Sequence, residues 1–157
     1  MLLSEFSALL APEGQAALRE ATTLSPREVD FLRHYQVLAR RHPPDLARAA
    51  LETAVLREEA RAKFPFADLL YLTRSALEQA TAYDVAHYRA ARYASFERVI
   101  DLGCSIGADT LAFAEQTAAL GIDLDPLRLA MAIENARAFE KAYPSAFIRA
   151  DLTNPLP

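Results

Sequence analysis

The chain has 157 residues, of which 52% are hydrophobic and 24% charged, with one cysteine and a formal net charge of −4. This composition excludes a disordered chain and an internal disulfide framework, and no apolar stretch approaches the ~20 residues of a membrane span. The charge is uneven: residues 1–98 carry 13 Lys/Arg against 13 Asp/Glu, and residues 99–157 carry 4 against 8, so nothing resembles a strong basic footprint for nucleic acid. The Arg40-Arg41-His42 cluster reads as a solvated helix end. His34, His42 and His87 are scattered, and with one cysteine they make no metal-ligand spacing. The first ten residues lack a basic leader, which predicts no signal peptide and a cytoplasmic protein.

Residues 1–94 read as a run of helices without a strand pattern. A short helix over residues 4–10 meets Pro12 and Gly14, and a second short pattern covers residues 14–20. Ser25-Pro-Arg-Glu predicts a helix start, with Ser25 as N-cap and Pro26 in the first turn. That helix should run to about Arg41, where Pro43-Pro44 stops it. Asp45 is expected to cap the next, with Leu46, Ala49, Ala50, Ala54 and Leu56 on or near one face. Pro65 breaks it. Residues 67–73 and 75–79 form further pieces, and Asp84 should cap a helix reaching about Tyr93.

From residue 95 the pattern changes. Residues 99–110 read Val-Ile-Asp-Leu-Gly-Cys-Ser-Ile-Gly-Ala-Asp-Thr, which is a strand, a tight turn of small residues and a helix start. Glycine at such a turn tolerates unusual φ/ψ and lets a ligand approach the backbone. A second apolar run, Ala119-Leu-Gly-Ile-Asp-Leu-Asp125, ends in acids, and Asp125 should cap the helix that Pro126 opens. A third, Ala146-Phe-Ile-Arg-Ala-Asp151, also ends in an acid. Asp123 follows Asp101 by 22 residues, close to the ~20-residue offset at which an acid meets ribose hydroxyls in nucleoside-binding α/β folds. Three strand ends would thus put carboxylates on one rim, where open α/β sheets bind ligands.

The loop departs from a dinucleotide fingerprint. Ser105 stands where pyrophosphate would need bare backbone, and a carboxylate at Asp101 suits a cationic ligand better than a phosphate. Asp101-Leu-Gly-Cys-Ser-Ile-Gly107 instead resembles motif I of the class I S-adenosylmethionine-dependent methyltransferases, with Ser105 at the middle glycine of that family's pattern. Gly121-Ile-Asp-Leu-Asp-Pro126 and Arg149-Ala-Asp-Leu-Thr153 resemble the family's second and third strand ends. Residues 77–92 are similar to the helix preceding motif I in trimethylguanosine-synthase-like enzymes and in bacterial methyltransferases bearing a THUMP-like domain. The resemblance covers residues 64–157.

It implies S-adenosylmethionine as cofactor and an α/β fold: a helical domain over residues 1–94, then the first half, about three parallel strands, of a Rossmann-like sheet over residues 95–157. It also implies cofactor contacts. Asp101 would take the methionine amino group, residues Gly103, Cys104, Ser105 and Gly107 would form the loop, and Asp123 would bind the ribose. Leu124 would wall the adenine, Asp151 and Leu152 would meet its edge, and Thr81 would lie near the cofactor. Asp109 and Thr110 are either first-turn helix residues or contacts to the methionine end. No catalytic residue is assigned, and an RNA acceptor follows from the resemblance alone. The family's fourth-strand motif is absent, and the closing Asn154-Pro-Leu-Pro157 matches it only superficially. The chain therefore reads as part of a longer protein, inactive alone, with an open sheet edge available for self-association. Two other readings are a non-catalytic nucleoside-binding module and an NAD-dependent oxidoreductase, the latter disfavoured by Asp101 and Ser105.

Overall fold

A computed structural model describes residues 1–139 and 144–154. Residues 155–157, the end of the closing tetrapeptide, lie outside the described residues. The helical part comprises α1 (Leu3–Leu10), α2 (Pro12–Thr23), α3 (Phe31–Leu38), α4 (Pro44–Ala60), α5 (Arg74–Gln79) and α6 (Tyr83–Ala90). Short 3₁₀ turns precede α3 (Glu28–Asp30), precede α5 (Ala67–Leu69) and follow α6 (Ala91–Tyr93). None of the described helices is long and apolar enough to cross a membrane.

Several boundaries differ from the sequence reading, each for a local reason. Ser25 is not an N-cap: it takes φ +44, and Arg27 is extended. The residue before a proline is disfavoured in the helical region, and the turn buries Pro26 almost completely. Burial of the ring overrides the capping signal, and α3 begins only at Phe31. Pro43 and Ala82, rather than Asp45 and Asp84, precede α4 and α6, so both acids sit in first turns. Residues 70–73 are not helical; Thr73 caps α5 by accepting the Ala76 N–H at 3.1 Å. Gly14 lies inside α2, where a Cβ would stand 2.3 Å from the Ala8 carbonyl oxygen of α1.

Helix α4 is buried on most sides rather than on one face, with Ala47, Leu51, Thr53 and Leu56 all inaccessible. Around it Phe6, Leu9, Leu38 and Leu72 form a core that also includes Ile106 and Met131 from the second part of the chain. Asn135, fully buried, ties the parts together. Its amide donates to the carbonyls of Tyr71 and Ile106, both at 3.1 Å, and its oxygen accepts the Tyr71 N–H at 2.7 Å.

The second part is a βαβαβ unit: β1 (Arg98–Leu102), α7 (Ala108–Phe113), β2 (Ala118–Asp123), α8 (Pro126–Arg137) and β3 (Ser145–Arg149). All pairs are parallel and β2 is central, with Ile100 opposite Leu120 and Ile122 opposite Ile148. Two right-handed crossovers advancing in one direction put both helices on one face. Ala119 packs with Ala112 and Phe113 on that face, and Phe147 reaches the neighbourhood of Gly107 and Ala132. Among the described residues the other face is only partly covered: Ile122 is buried, but Ile100, Leu102 and Ile148 are 54%, 61% and 48% exposed. Among the described residues β1 pairs only with β2, so its outer edge is free. This is the expected half-sheet joined to a helical region.

Candidate functional site

The loop between β1 and α7 is built by three departures from ordinary backbone. Gly103 and Gly107 have φ +80 and +84, and Ser105 between them has φ +51. A Cβ at Gly103 would meet nothing within 4 Å, so its backbone is bare to a ligand. Ser105 is held in the left-handed region by Asp123, whose Oδ2 accepts the Ser105 N–H at 2.8 Å while its Oδ1 accepts the Asp125 N–H at 2.9 Å. Gly121 of β2 leaves room beneath the loop, since a Cβ there would stand 2.9 Å from Cys104 Sγ and 2.8 Å from the Phe147 ring.

Under this loop lies a cavity of about 130 Å³. The sheet side contributes Asp101, Gly103, Cys104, Ser105, Ile106, Ala108 and Asp109, and the helical side contributes Ala76, Gln79, Ala80 and Thr81, with Arg128 from α8. Of the helical-side residues, the sequence predicts Thr81 alone. Ala76, Gln79, Ala80 and Arg128 carry no local signal, because they reach the site only through packing beside the loop. A second cavity, of about 80 Å³, lies beyond the shared wall of Ile106 and Ala108, among Phe66, Tyr83 and Leu111. It is mainly apolar and contains neither Asp101 nor Asp109, so the first cavity is the one with the expected polar chemistry.

Asp101 is half-buried. Burial pushes its carboxyl above the ordinary range, the Thr110 hydroxyl counteracts this, and nearby Asp109 adds to the rise. Thr110 Oγ1, itself inaccessible, donates to Asp101 Oδ2 at 2.6 Å. Asp109 stands 3.2 Å from the Arg89 guanidinium of α6, which also donates to Thr81 Oγ1 at 3.4 Å. Cys104 is buried, and burial first, then Asp101 and Asp123, raises its thiol to about 12. A thiol held protonated is not a nucleophile, so Cys104 serves as a packing residue against Gly121.

The remaining anticipated residues sit at the carboxyl ends of β2 and β3, outside the lining of this cavity. Leu124 and Leu152 are exposed. Asp125 caps α8 by accepting the N–H groups of Leu127 and Arg128 at 2.8 and 3.2 Å. Asp151 accepts the N–H and hydroxyl of Thr153 at 2.9 and 2.7 Å, which holds its carboxyl below the ordinary range. The strand-end acids therefore lie along the carboxyl edge of the sheet, with the cavity at the Asp101 end.

A domain of unknown function, DUF8688, matches residues 3–60. The chain is 39% identical over 121 residues to an uncharacterised S-adenosylmethionine-dependent methyltransferase of Mycobacterium tuberculosis, matched in strains CDC 1551 / Oshkosh and ATCC 25618 / H37Rv. The match covers 71% of this chain and 32% of each of those proteins. The chain thus spans about a third of the length of the curated relatives it matches. Its fold is similar to the crystal structure of a Porphyromonas gingivalis W83 protein proposed to be a methyltransferase, with a TM-score of 0.70 and 21% identity. That likeness covers 85% of this chain and 34% of that one.

Proposed function

We propose that the chain is the N-terminal part of an S-adenosylmethionine-dependent methyltransferase and that the cavity under the 103–107 loop receives the amino-acid end of the cofactor. The observation that carries this reading is the half-buried Asp101 carboxylate in a polar cavity beside the bare Gly103 backbone. The 39% identity to the mycobacterial proteins supports it. Bound there, the cofactor supplies a methyl group already activated on a sulfonium. The protein's own residues then bind and orient; alignment of donor and acceptor needs no acid–base dyad.

In this reading Asp101 accepts the ammonium group, and Thr81, Asp109 and Thr110 bound or brace that end. Gly103, Cys104, Ser105 and Gly107 shape the loop. Asp123 takes the ribose hydroxyls with the lone pairs left after Ser105 and Asp125. Leu124 walls the adenine, while Asp151 and Leu152 meet its edge. We divide the chain near residue 94, between a helical domain and a partial Rossmann-like domain. The trimethylguanosine-synthase-like or THUMP-bearing branch, and an RNA acceptor, rest on the resemblance of residues 77–92 and of the loop. Among the described residues three strands supply much of the donor site and no fourth-strand wall for an acceptor, so we expect the 157 residues alone to transfer no methyl group.

The test is a side-by-side calorimetric titration with S-adenosylhomocysteine and with NAD. S-Adenosylhomocysteine should bind more tightly. Equal or tighter NAD binding would overturn the reading.

A further inference from the structure

Resting on the methyltransferase reading, we propose that Arg128, on α8, is the residue that recognises the α-carboxylate of the cofactor's amino-acid end, opposite Asp101, which takes the ammonium. Among the described residues, the cavity is lined by two acids and one guanidinium, Asp101, Asp109 and Arg128. An α-amino acid is a zwitterion and needs both signs. A cavity lined by acids alone would repel its carboxylate, and a planar guanidinium offers the paired N–H donors that a carboxylate accepts.

Among the described residues two cations stand near this end of the site, and their existing partners separate their roles. Arg89 reaches Asp109 at 3.2 Å and Thr81 at 3.4 Å, and it is not among the residues lining the cavity. Its charge offsets that of Asp109, which leaves Asp101 as the acid for the ammonium. Arg128 donates to the neutral Ser75 hydroxyl at 3.1 Å and stands 3.7 Å from Asp125. That carboxylate already caps α8. Exchanging the Ser75 hydroxyl for a ligand carboxylate trades a neutral acceptor for a charged one, which is the stronger hydrogen bond. The Arg128 side chain is 24% exposed, so it is partly shielded from water yet able to move. The sequence alone assigns it no role. Its part in the site comes from α8 packing beside the loop.

The experiment titrates the protein, Arg128→Gln and Arg128→Lys with S-adenosylhomocysteine and with 5′-methylthioadenosine, which lacks the amino-acid end. Arg128→Gln should weaken S-adenosylhomocysteine by about ten-fold or more, the range of hydrogen bonds to charged groups, and leave 5′-methylthioadenosine unchanged. Arg128→Lys, which keeps the charge and loses the fork, should fall between; it also carries the comparison if the glutamine variant fails to fold. An equal loss for both ligands makes Arg128 a structural wall and overturns the proposal, as does no loss for either. Both outcomes leave the methyltransferase reading standing. A parent protein that binds neither ligand overturns that reading and this proposal with it.

Discussion

Burial raises the Asp101 carboxyl above its ordinary value of 3.8, and this has a consequence for stability. A carboxyl raised in the folded state binds its proton more tightly there than in the unfolded chain. Its contribution to stability is present below the unfolded value and is lost as pH rises through the folded one. At neutral pH the ionised Asp101 therefore works against folding, held in place by Thr110. Asp101→Asn should make the free protein more resistant to urea at pH 7, and the gain should disappear near pH 3, where the parent carboxyl is protonated. The same variant should lose S-adenosylhomocysteine binding, since a neutral amide no longer attracts the ammonium. A variant less stable than the parent at pH 7 would mean that the Thr110 bond outweighs the burial of the charge. Such opposition between stability and binding is common at functional sites.

At the scale of the elements, the loop and β2 act as one unit. Ser105 at φ +51 is costly for a residue with a Cβ, by roughly 1–2 kcal/mol, and Asp123 offsets that cost by accepting the Ser105 N–H. Asp123→Ala should therefore destabilise the chain and also weaken S-adenosylhomocysteine by about 1.5–3 kcal/mol. Adding Ser105→Gly should restore much of the stability and none of the affinity. Thermal unfolding and titration of the double variant read the two effects separately, and recovery of affinity would reduce Asp123 to a loop brace. Much of this unit was legible in the sequence: the strand ends at Asp101 and Asp123, the small-residue loop, and Asp125 as the cap of α8 are all local signals. The wall built by Ala76, Gln79 and Ala80, the guanidinium of Arg128 and the Asn135 tie to Tyr71 were not legible. They arise between residues far apart in the chain, and only packing brings them together. The turn at Ser25 failed for the same reason, because burial of Pro26 outweighed a clear local cap.

For the whole molecule, the sheet has one face covered by α7 and α8 and one that the described residues leave partly exposed. Ile100 and Leu102 on β1, whose outer edge is free among the described residues, and Ile148 on β3 are exposed on this face, and together they form the kind of surface that associates in water. We expect light scattering to give a mass above that of a monomer, falling to the monomer in Ile100→Lys and Ile148→Lys. A monomeric parent would show that this face does not drive association. Across the shared core, the helical region and the sheet unit bring the two walls of the candidate site together: α5 on one side, β1 and its loop on the other. The most direct test of this arrangement is a crystal structure of the chain grown with S-adenosylhomocysteine. The account predicts the amino-acid end of the ligand between α5 and the 103–107 loop, its ammonium on Asp101 and its carboxylate on Arg128, with the ribose at Asp123. Density for the ligand elsewhere on the molecule, or in this cavity with its amino-acid end turned away from Asp101, would contradict it.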